Sequence, residues 1–241
     1  MAHRKALSDL RTAVRDNLDE ASASFWSNAQ LMRFINRAKD RVWVEVRKLK
    51  EDFWLTNRAS TDGALTILGE SYNASAFQIA AGTRSYTLPP DLVELKLIET
   101  ITTDYEYVRW LHRDLTHPTM KAARSITTQV TPEQFLWDLV GERTLILGQN
   151  PDRTLDLRLH YVQVIPDLSA DADTLEMPHP LYKAVEEYAT AAALKMDRDP
   201  NAAAWEASGN ASITQFLGAT ARQTEDPQFV QDYLGEYLDR G

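Results

Sequence analysis

The sequence contains no cysteine. Disulfide scaffolds and thiolate metal sites are therefore excluded, and the chain suits a reducing compartment. Long apolar runs are missing too. No stretch reaches the about 18 residues that a membrane-spanning helix needs, and Met1–Leu10 holds no apolar run of signal-peptide type. Glycine is scarce, at 9 of 241 residues. There is no GxxxxGK[ST] and no GxGxxG, so the usual phosphate cradles are absent. HExxH and GxSxG are also absent. No internal repeat or low-complexity segment stands out. What remains is an ordinary globular composition, 44% hydrophobic and 25% charged, in a chain long enough to bury a real core.

The net charge is -9, unevenly spread. Residues 1–58 hold 12 Lys/Arg against 8 Asp/Glu, a net of +4, which leaves -13 for the remainder. Such asymmetry can mark a nucleic-acid arm. Here Arg37, Lys39, Asp40, Arg41 and Glu45 mix both signs at helical spacing, the pattern of a solvated or intersubunit helix face. An acidic protein does not grip a phosphate backbone by counterion release, although it can line a passage through which DNA slides.

Apolar spacing divides the chain into helical, strand-rich and helical parts. Leu7, Leu10, Val14 and Leu18 make one helical stripe within about 2–19. A second helix begins at Ser27, whose N-cap role is paired with Gln30 three residues on, with Trp26 and Leu31 placed as a hydrophobic staple. Its stripe runs through Phe34, Ile35, Ala38, Val42, Val46 and Leu49. Trp43 and Val44 fall off that stripe and imply a second buried face, inside the fold or against another subunit. Strands are expected at 85–88, 92–101, 105–110, 135–140, 144–147 and 155–164. In the last, Leu155, Leu157, Leu159 and Tyr161 alternate with Asp156, Arg158 and His160, as in a half-exposed antiparallel sheet. An acidic linker, 167–178, leads to helices opened by Pro180, by Asp199-Pro200 and by Asp226-Pro227. The expected fold class is α+β: a bundle from the N- and C-terminal helices with an inserted antiparallel β domain, sandwich or open barrel. Its parts are 1–55, 56–178, 179–223 and a tail, 224–241.

A search for chemistry finds no site. The five histidines (His3, His112, His117, His160, His179) lack ligand spacing and read as loop or turn residues. Asp167, Asp171, Asp173 and Glu176 are acidic and clustered, but a calcium loop starting at Asp171 would need Gly and Glu where Glu176 and Tyr182 stand. Tyr105, Tyr107, Arg109 and Trp110 come closest to a base-stacking platform, and core packing accounts for them better. No catalytic residue, metal ligand or cofactor is assigned. In the tail, Phe229, Tyr233 and Tyr237 recur four apart beside Val230, Leu234 and Leu238. A helix this short is marginal alone, so its apolar face must dock on its own domain or on a partner.

Several segments, in order, resemble the head-to-tail connector (adaptor) proteins of tailed bacteriophages. They are Phe25-Trp26-Ser27-Asn28-Ala29-Gln30-Leu31 with Ile35-Asn36-Arg37-Ala38; Ala81-Gly82-Thr83-Arg84-Ser85-Tyr86-Thr87-Leu88-Pro89; Leu145-Ile146-Leu147 and Leu155 to Tyr161; and Met177-Pro178 with Ala184 and Tyr188-Ala189. On that resemblance, Trp26, Ser27, Leu31, Asn36, Ala38, Gly82, Tyr86, Pro89, Tyr161 and Tyr188 are motif or core positions. The resemblance implies a non-enzymatic virion protein of the neck, one of commonly twelve subunits in a ring. Its partners would be the portal protein, a tail or nozzle protein and double-stranded DNA passing through the bore without sequence-specific binding, with no membrane partner. Trp43 and Val44 would lie between subunits, and Phe229, Val230, Tyr233, Leu234 and Tyr237 would dock on the portal. Two other classes compete: a nucleic-acid-binding module using the basic N-terminal helices, and a hydrolase using carboxylates such as Asp167 or Glu142.

Overall fold

A computed structural model describes residues 4–20, 25–49, 54–101, 109–126 and 134–224. The chain divides into two compact units, Met1–Lys50 with Pro166–Gly241, and Glu51–Ile165.

The first unit is helical: α1 (Leu7–Asn17), α2 (Asn28–Leu49), α4 (Leu181–Met196) and α5 (Ala202–Thr224). Scarce glycine shows at the corners. Helix α1 ends with Asp19 at φ 54, its N–H on the Asp16 carbonyl and that of Glu20 on the Arg15 carbonyl. Helix α4 ends the same way, with Arg198 at φ 60 and the Asp199 N–H on the Leu194 carbonyl. Both are Schellman caps built without the usual glycine, each costing about 1–2 kcal/mol of backbone strain. Glu20 Oε1 accepts from the backbone of Phe25 (2.6 Å) and Trp26 (3.0 Å) while its other oxygen meets Arg15 at 3.1 Å. The α1–α2 corner is thereby tied.

Helix α4 is the hub. Ten of its residues are buried, four of them alanines, so its neighbours come close on nearly every side. It packs against α1, α2 and α5. A close approach falls at Gly209 of α5, where a Cβ would stand 2.8 Å from the Tyr188 ring. Tyr188 is capped on another side by the Arg41 guanidinium, 4.1 Å from the ring centre, and donates to Asn210 Oδ1 at 2.5 Å. Buried Glu187 accepts from Ser208 (2.6 Å) and Ser212 (2.7 Å) of α5. Arg41 and Lys195 both reach Glu206.

Residues 166–178 are not the solvated linker that their acidity suggests. Leu168, Leu175 and Met177 are buried, and Ala6 pairs in an antiparallel bridge with Thr174. The acidic side chains face outward from a strap whose apolar residues alternate inward.

The second unit is built from β1 (Leu55–Ala59), β2 (Ala64–Ile67), β3 (Glu70–Asn73), β4 (Ser85–Thr87), β5 (Leu92–Ile101), β6 (Arg109–His112), α3 (Pro118–Ser125), β7 (Gln134–Val140), β8 (Thr144–Leu147) and β9 (Asp156–Gln163). One sheet has the order β1-β9-β5 and is antiparallel; a second has the order β4-β8-β7-β6; β2 and β3 form a hairpin. The chain is thus α+β, with open sheets and no closed barrel among the described residues. One departure from the all-antiparallel expectation is the parallel pairing of β6 with β7. The connection between them contains α3, which is how parallel neighbours must be joined. Tyr86, Leu95, Ile98, Phe135, Leu145, Leu157 and Tyr161, drawn from both larger sheets, share one core.

Strand β5 buries Leu92, Leu95 and Ile98, a spacing of three where a flat strand gives two. Two register shifts, at Leu92/Glu94 and Leu95/Leu97, supply the extra residues. They also turn Leu97 outward, leaving it 49% exposed.

Two predictions follow from the helical unit. Replacing Gly209 by alanine gains up to about 1 kcal/mol of helix propensity, but overpacking against Tyr188 costs about 1–3 kcal/mol. The urea midpoint of the variant is expected to fall. For Glu206, its bonds to Lys195 and Arg41 hold the carboxyl below the ordinary glutamate range. A lowered folded-state value stabilises above the unfolded pKa and is lost as pH falls through it. Glu206→Gln is expected to lower stability at pH 7 by no more than about 1 kcal/mol, given its exposure. The difference from the parent closes as pH falls through the lowered folded-state value; urea unfolding across an acidic pH series measures it.

Candidate interaction surfaces

The residues singled out from the sequence occupy distinct structural positions. Ser27 and Gln30 form a reciprocal cap at the start of α2: the Ser27 N–H meets Gln30 Oε1 at 2.9 Å and the Gln30 N–H meets Ser27 Oγ at 3.3 Å. Trp26 is buried edge-on against Phe34, with ring centres 5.5 Å apart, and its carbonyl accepts from Arg15 at 2.8 Å. Leu31 and Ala38 are buried on the bundle side of α2. Asn36 is an adhesive for the strap. Its amide donates to the Leu168 carbonyl and accepts from the Leu168 N–H, both at 3.0 Å, as a neighbouring β-strand would.

In the β unit, Gly82 takes φ +76 and donates to the Pro151 carbonyl at 2.8 Å. Pro89 is buried after β4. The Tyr86 hydroxyl meets the carbonyls of Ala80 and Thr83, and burial raises its pKa. Tyr161 is fully buried. It donates to Asp91 Oδ1 at 2.8 Å and accepts from Arg58 Nε at 2.6 Å, while Arg58 also pairs with Asp91 Oδ2 at 2.9 Å. Burial first, and the Asp91 charge second, push the Tyr161 hydroxyl above its ordinary range, so it remains a donor. This triad ties β1, β9 and the turn before β5, and its partners fill one another's bonds.

Sequence spacing did not single out Asp91 and Arg58, because they meet only through strand pairing. Lys39, read from the sequence as part of a solvated or intersubunit face, lies instead on the inward side of α2, one helical turn beyond Ile35. It is 1% exposed, and its ammonium meets the Pro166 carbonyl at 3.1 Å and Asp167 at 2.5 Å.

Most of the described residues weighed for chemistry have partners of their own, whereas Glu142 lies at the rim of a cleft in the β unit. Asp173 accepts from the backbones of Ser169 and Ala170, which lowers its pKa; Asp171 meets Arg11, and Glu176 meets Arg4. His117 caps α3, His112 meets Asp138 and His160 meets Glu99. Among the described residues no group of His, Asp and Glu could hold a metal ion. Trp110 stacks on Phe135 at 4.9 Å and donates to Thr100, as a core residue does. Tyr105 and Tyr107 lie outside the described residues, as do Phe229, Val230, Tyr233, Leu234 and Tyr237. Trp43 is half-buried with its indole N–H unpaired, and Val44 beside it is 41% exposed.

Two surfaces remain unexplained by internal packing. A shallow cleft of 530 Å³ in the β unit is lined by Leu68, Leu92, Leu139 and Val164, with Glu70 and Arg143 at its side. Leu68 sits at the hairpin tip at φ 52 and is 42% exposed. The other surface is the outer side of α5, where the exposed residues between Ala207 and Ala219 are uncharged and mostly small.

The family model described as SU10 adaptor protein matches residues 5–231, nearly the whole chain, and the chain belongs to this family of phage structural adaptor proteins. No curated protein matches it. Family membership carries a place at the virion neck, between portal and tail proteins. No helix among the described residues is long and apolar enough to cross a membrane.

Asn36 and Lys39 make a testable pair. Asn36→Ala leaves the Leu168 backbone unpaired and is expected to cost about 1–3 kcal/mol. Lys39→Met frees an Asp167 side chain that is 72% exposed and a carbonyl of half-exposed Pro166, both of which can rehydrate, so the change is expected to cost less than Asn36→Ala. Chemical denaturation of both variants checks the order.

Proposed function

We propose that this chain is a subunit of a closed ring, commonly twelve-fold in such adaptors, seated between the portal protein and a tail or nozzle protein with the genome passing through its bore. The observation that carries the reading is the family match over residues 5–231. The surfaces are consistent with it. Ring contacts are heterologous, one patch meeting a different one, and closure fixes the copy number. Val44 and half-buried Trp43 on α2 are offered as part of one such patch. The tail aromatics Phe229, Tyr233 and Tyr237, with Val230 and Leu234, are offered as the portal contact. The subunit performs no catalysis in this reading and needs no cofactor.

The net charge of -9 suits a bore that DNA traverses without sticking. One observation favours the nucleic-acid reading: Arg33 and Arg37, a turn apart on the outer side of α2, are exposed. Two cations supply only a shallow salt dependence, since each neutralised phosphate contributes a slope of about -0.9.

The test is mass by light scattering, for the protein alone and mixed with the portal protein of the same genome. The expected result is a large stoichiometric complex that is lost when residues after Thr224 are removed. Failure to form any complex across salt and concentration contradicts the reading, and tight duplex binding by the isolated protein in its place supports the alternative.

A further inference from the structure

Helix α1 exposes no cation. Its exposed residues are Asp9, Thr12 and Asp16, and Asp19 follows just beyond its end. Asp9 accepts from the Ala6 N–H, and Thr12 donates to the Ser8 carbonyl. Asp16 and Asp19 have no side-chain partner among the described residues. Their place is unfavourable. The C-terminal end of a helix favours cations, and Arg15, the cation of that turn, is committed to Glu20, Asn28 and the Trp26 carbonyl. Asp19 also holds a left-handed turn position, φ 54, where Gly or Asn would serve without a charge. At the same corner Phe25, whose N–H bonds to Glu20, is 63% exposed.

Helix α2 shows the opposite sign. From Arg33 to Lys48 its exposed residues are Arg33, Arg37, Asp40, Arg41, Val44 and Lys48. Asp40 meets Lys39 at 3.2 Å, Arg41 meets Glu206 and Lys48 meets Glu45. Arg33 and Arg37 have no partner among the described residues. They stand four apart, so their like charges are neighbours and repel. Val44 lies in line with them, two turns past Arg37, and is exposed. One exposed charge is ordinary on a surface. Two unpaired pairs of opposite sign, each set where it costs the helix that carries it and each beside an exposed apolar side chain, are complementary halves of one contact. Both halves belong to the helical unit, and they do not meet within it.

We propose that Asp16 and Asp19, with Phe25, of one copy dock on Arg33 and Arg37, with Val44, of the next copy. Such a contact is heterologous, each copy offering one half to each neighbour. On the ring reading, from which this step is taken, it repeats until the ring closes. Contact relieves the repulsion within each pair, and salt screens the attraction between exposed charges, so association weakens as salt rises.

The test is a charge swap in the full-length chain. Asp16→Lys/Asp19→Asn leaves both patches basic, with Asn keeping the turn position, and Arg33→Glu/Arg37→Glu leaves both acidic. All four positions are exposed and without partners, so circular dichroism and the urea midpoint are expected to stay near the parent's. Sedimentation velocity, with and without the portal protein of the same genome, reads assembly. Each variant alone is expected to assemble at least about tenfold more weakly than the parent, because like charges are brought face to face. An equimolar mixture of the two is expected to recover the parent's mass by alternation in a ring of even copy number. Recovery on mixing cannot come from a misfolded chain. Assembly of either variant alone at the parent's strength overturns the proposal, and so does failure of the mixture to recover. Loss of duplex binding by the Arg33→Glu/Arg37→Glu chain with assembly intact assigns that pair to nucleic acid and also overturns it. If parent and both variants form the same portal complex, the contact is wrong and the ring reading stands. If recovery on mixing stops at two chains, the contact stands and the ring reading falls. A parent that stays a single chain beside the portal defeats both.

Discussion

Tyr188 stands against Gly209 in a space that no other residue at that position would leave. At this contact α5 lies directly against α4. Because α5 comes that close, Ser208 and Ser212 reach the buried carboxylate of Glu187, and Glu206 meets Arg41 and Lys195. Glu187 also pairs with Lys183 at 3.8 Å, and the two hydroxyls fill its remaining acceptor positions, as a buried carboxylate needs. One glycine thus makes a polar helix interface tolerable. The alanines of α4 extend the same logic to α1 and α2, which need close approach to bury a helix on nearly every side.

The strap 166–178 follows a related rule. A segment crossing a helix surface has backbone groups that need partners. Asn36 supplies both for Leu168, Lys39 takes the Pro166 carbonyl, and the N-terminal segment at Lys5 and Leu7 bonds to Leu175 and Asp173. All four of these partners lie in the first 40 residues, which is how segments far apart in sequence become one unit.

Much of this was legible in the sequence, for physical reasons that differ by element. The cap at Ser27 and Gln30 is a local signal, and the structure has it. The alternation of Leu157, Leu159 and Tyr161 is equally local. The hairpin of β2 and β3 escaped because Leu68 occupies a left-handed turn position where Asn or Gly would have announced it. Strand β5 carries no clean alternation of apolar and polar residues because two bulges convert its period from two to three. The strap looked like a linker because its acidic residues outnumber the buried Leu168, Leu175 and Met177. The Arg58–Asp91–Tyr161 triad was beyond reach, since only strand pairing brings residues 33 and 70 positions apart together. As for function, the ordered series of short motifs pointed to the adaptor family, which the match over residues 5–231 shows; none of the motif residues described here forms a catalytic arrangement, and they cap, pack or hold the strap.

The central claim is that the surfaces of this chain exist to close a ring at a portal. Electron cryomicroscopy of necks isolated from virions of the phage that encodes it tests that claim most directly. The account predicts a ring of density on the tailward face of the portal, fitted by repeated copies of the two units, with side chains of Trp43 and Val44 buried between neighbours. Density at that position that these units do not fit, or a neck from which the chain is absent, would contradict it.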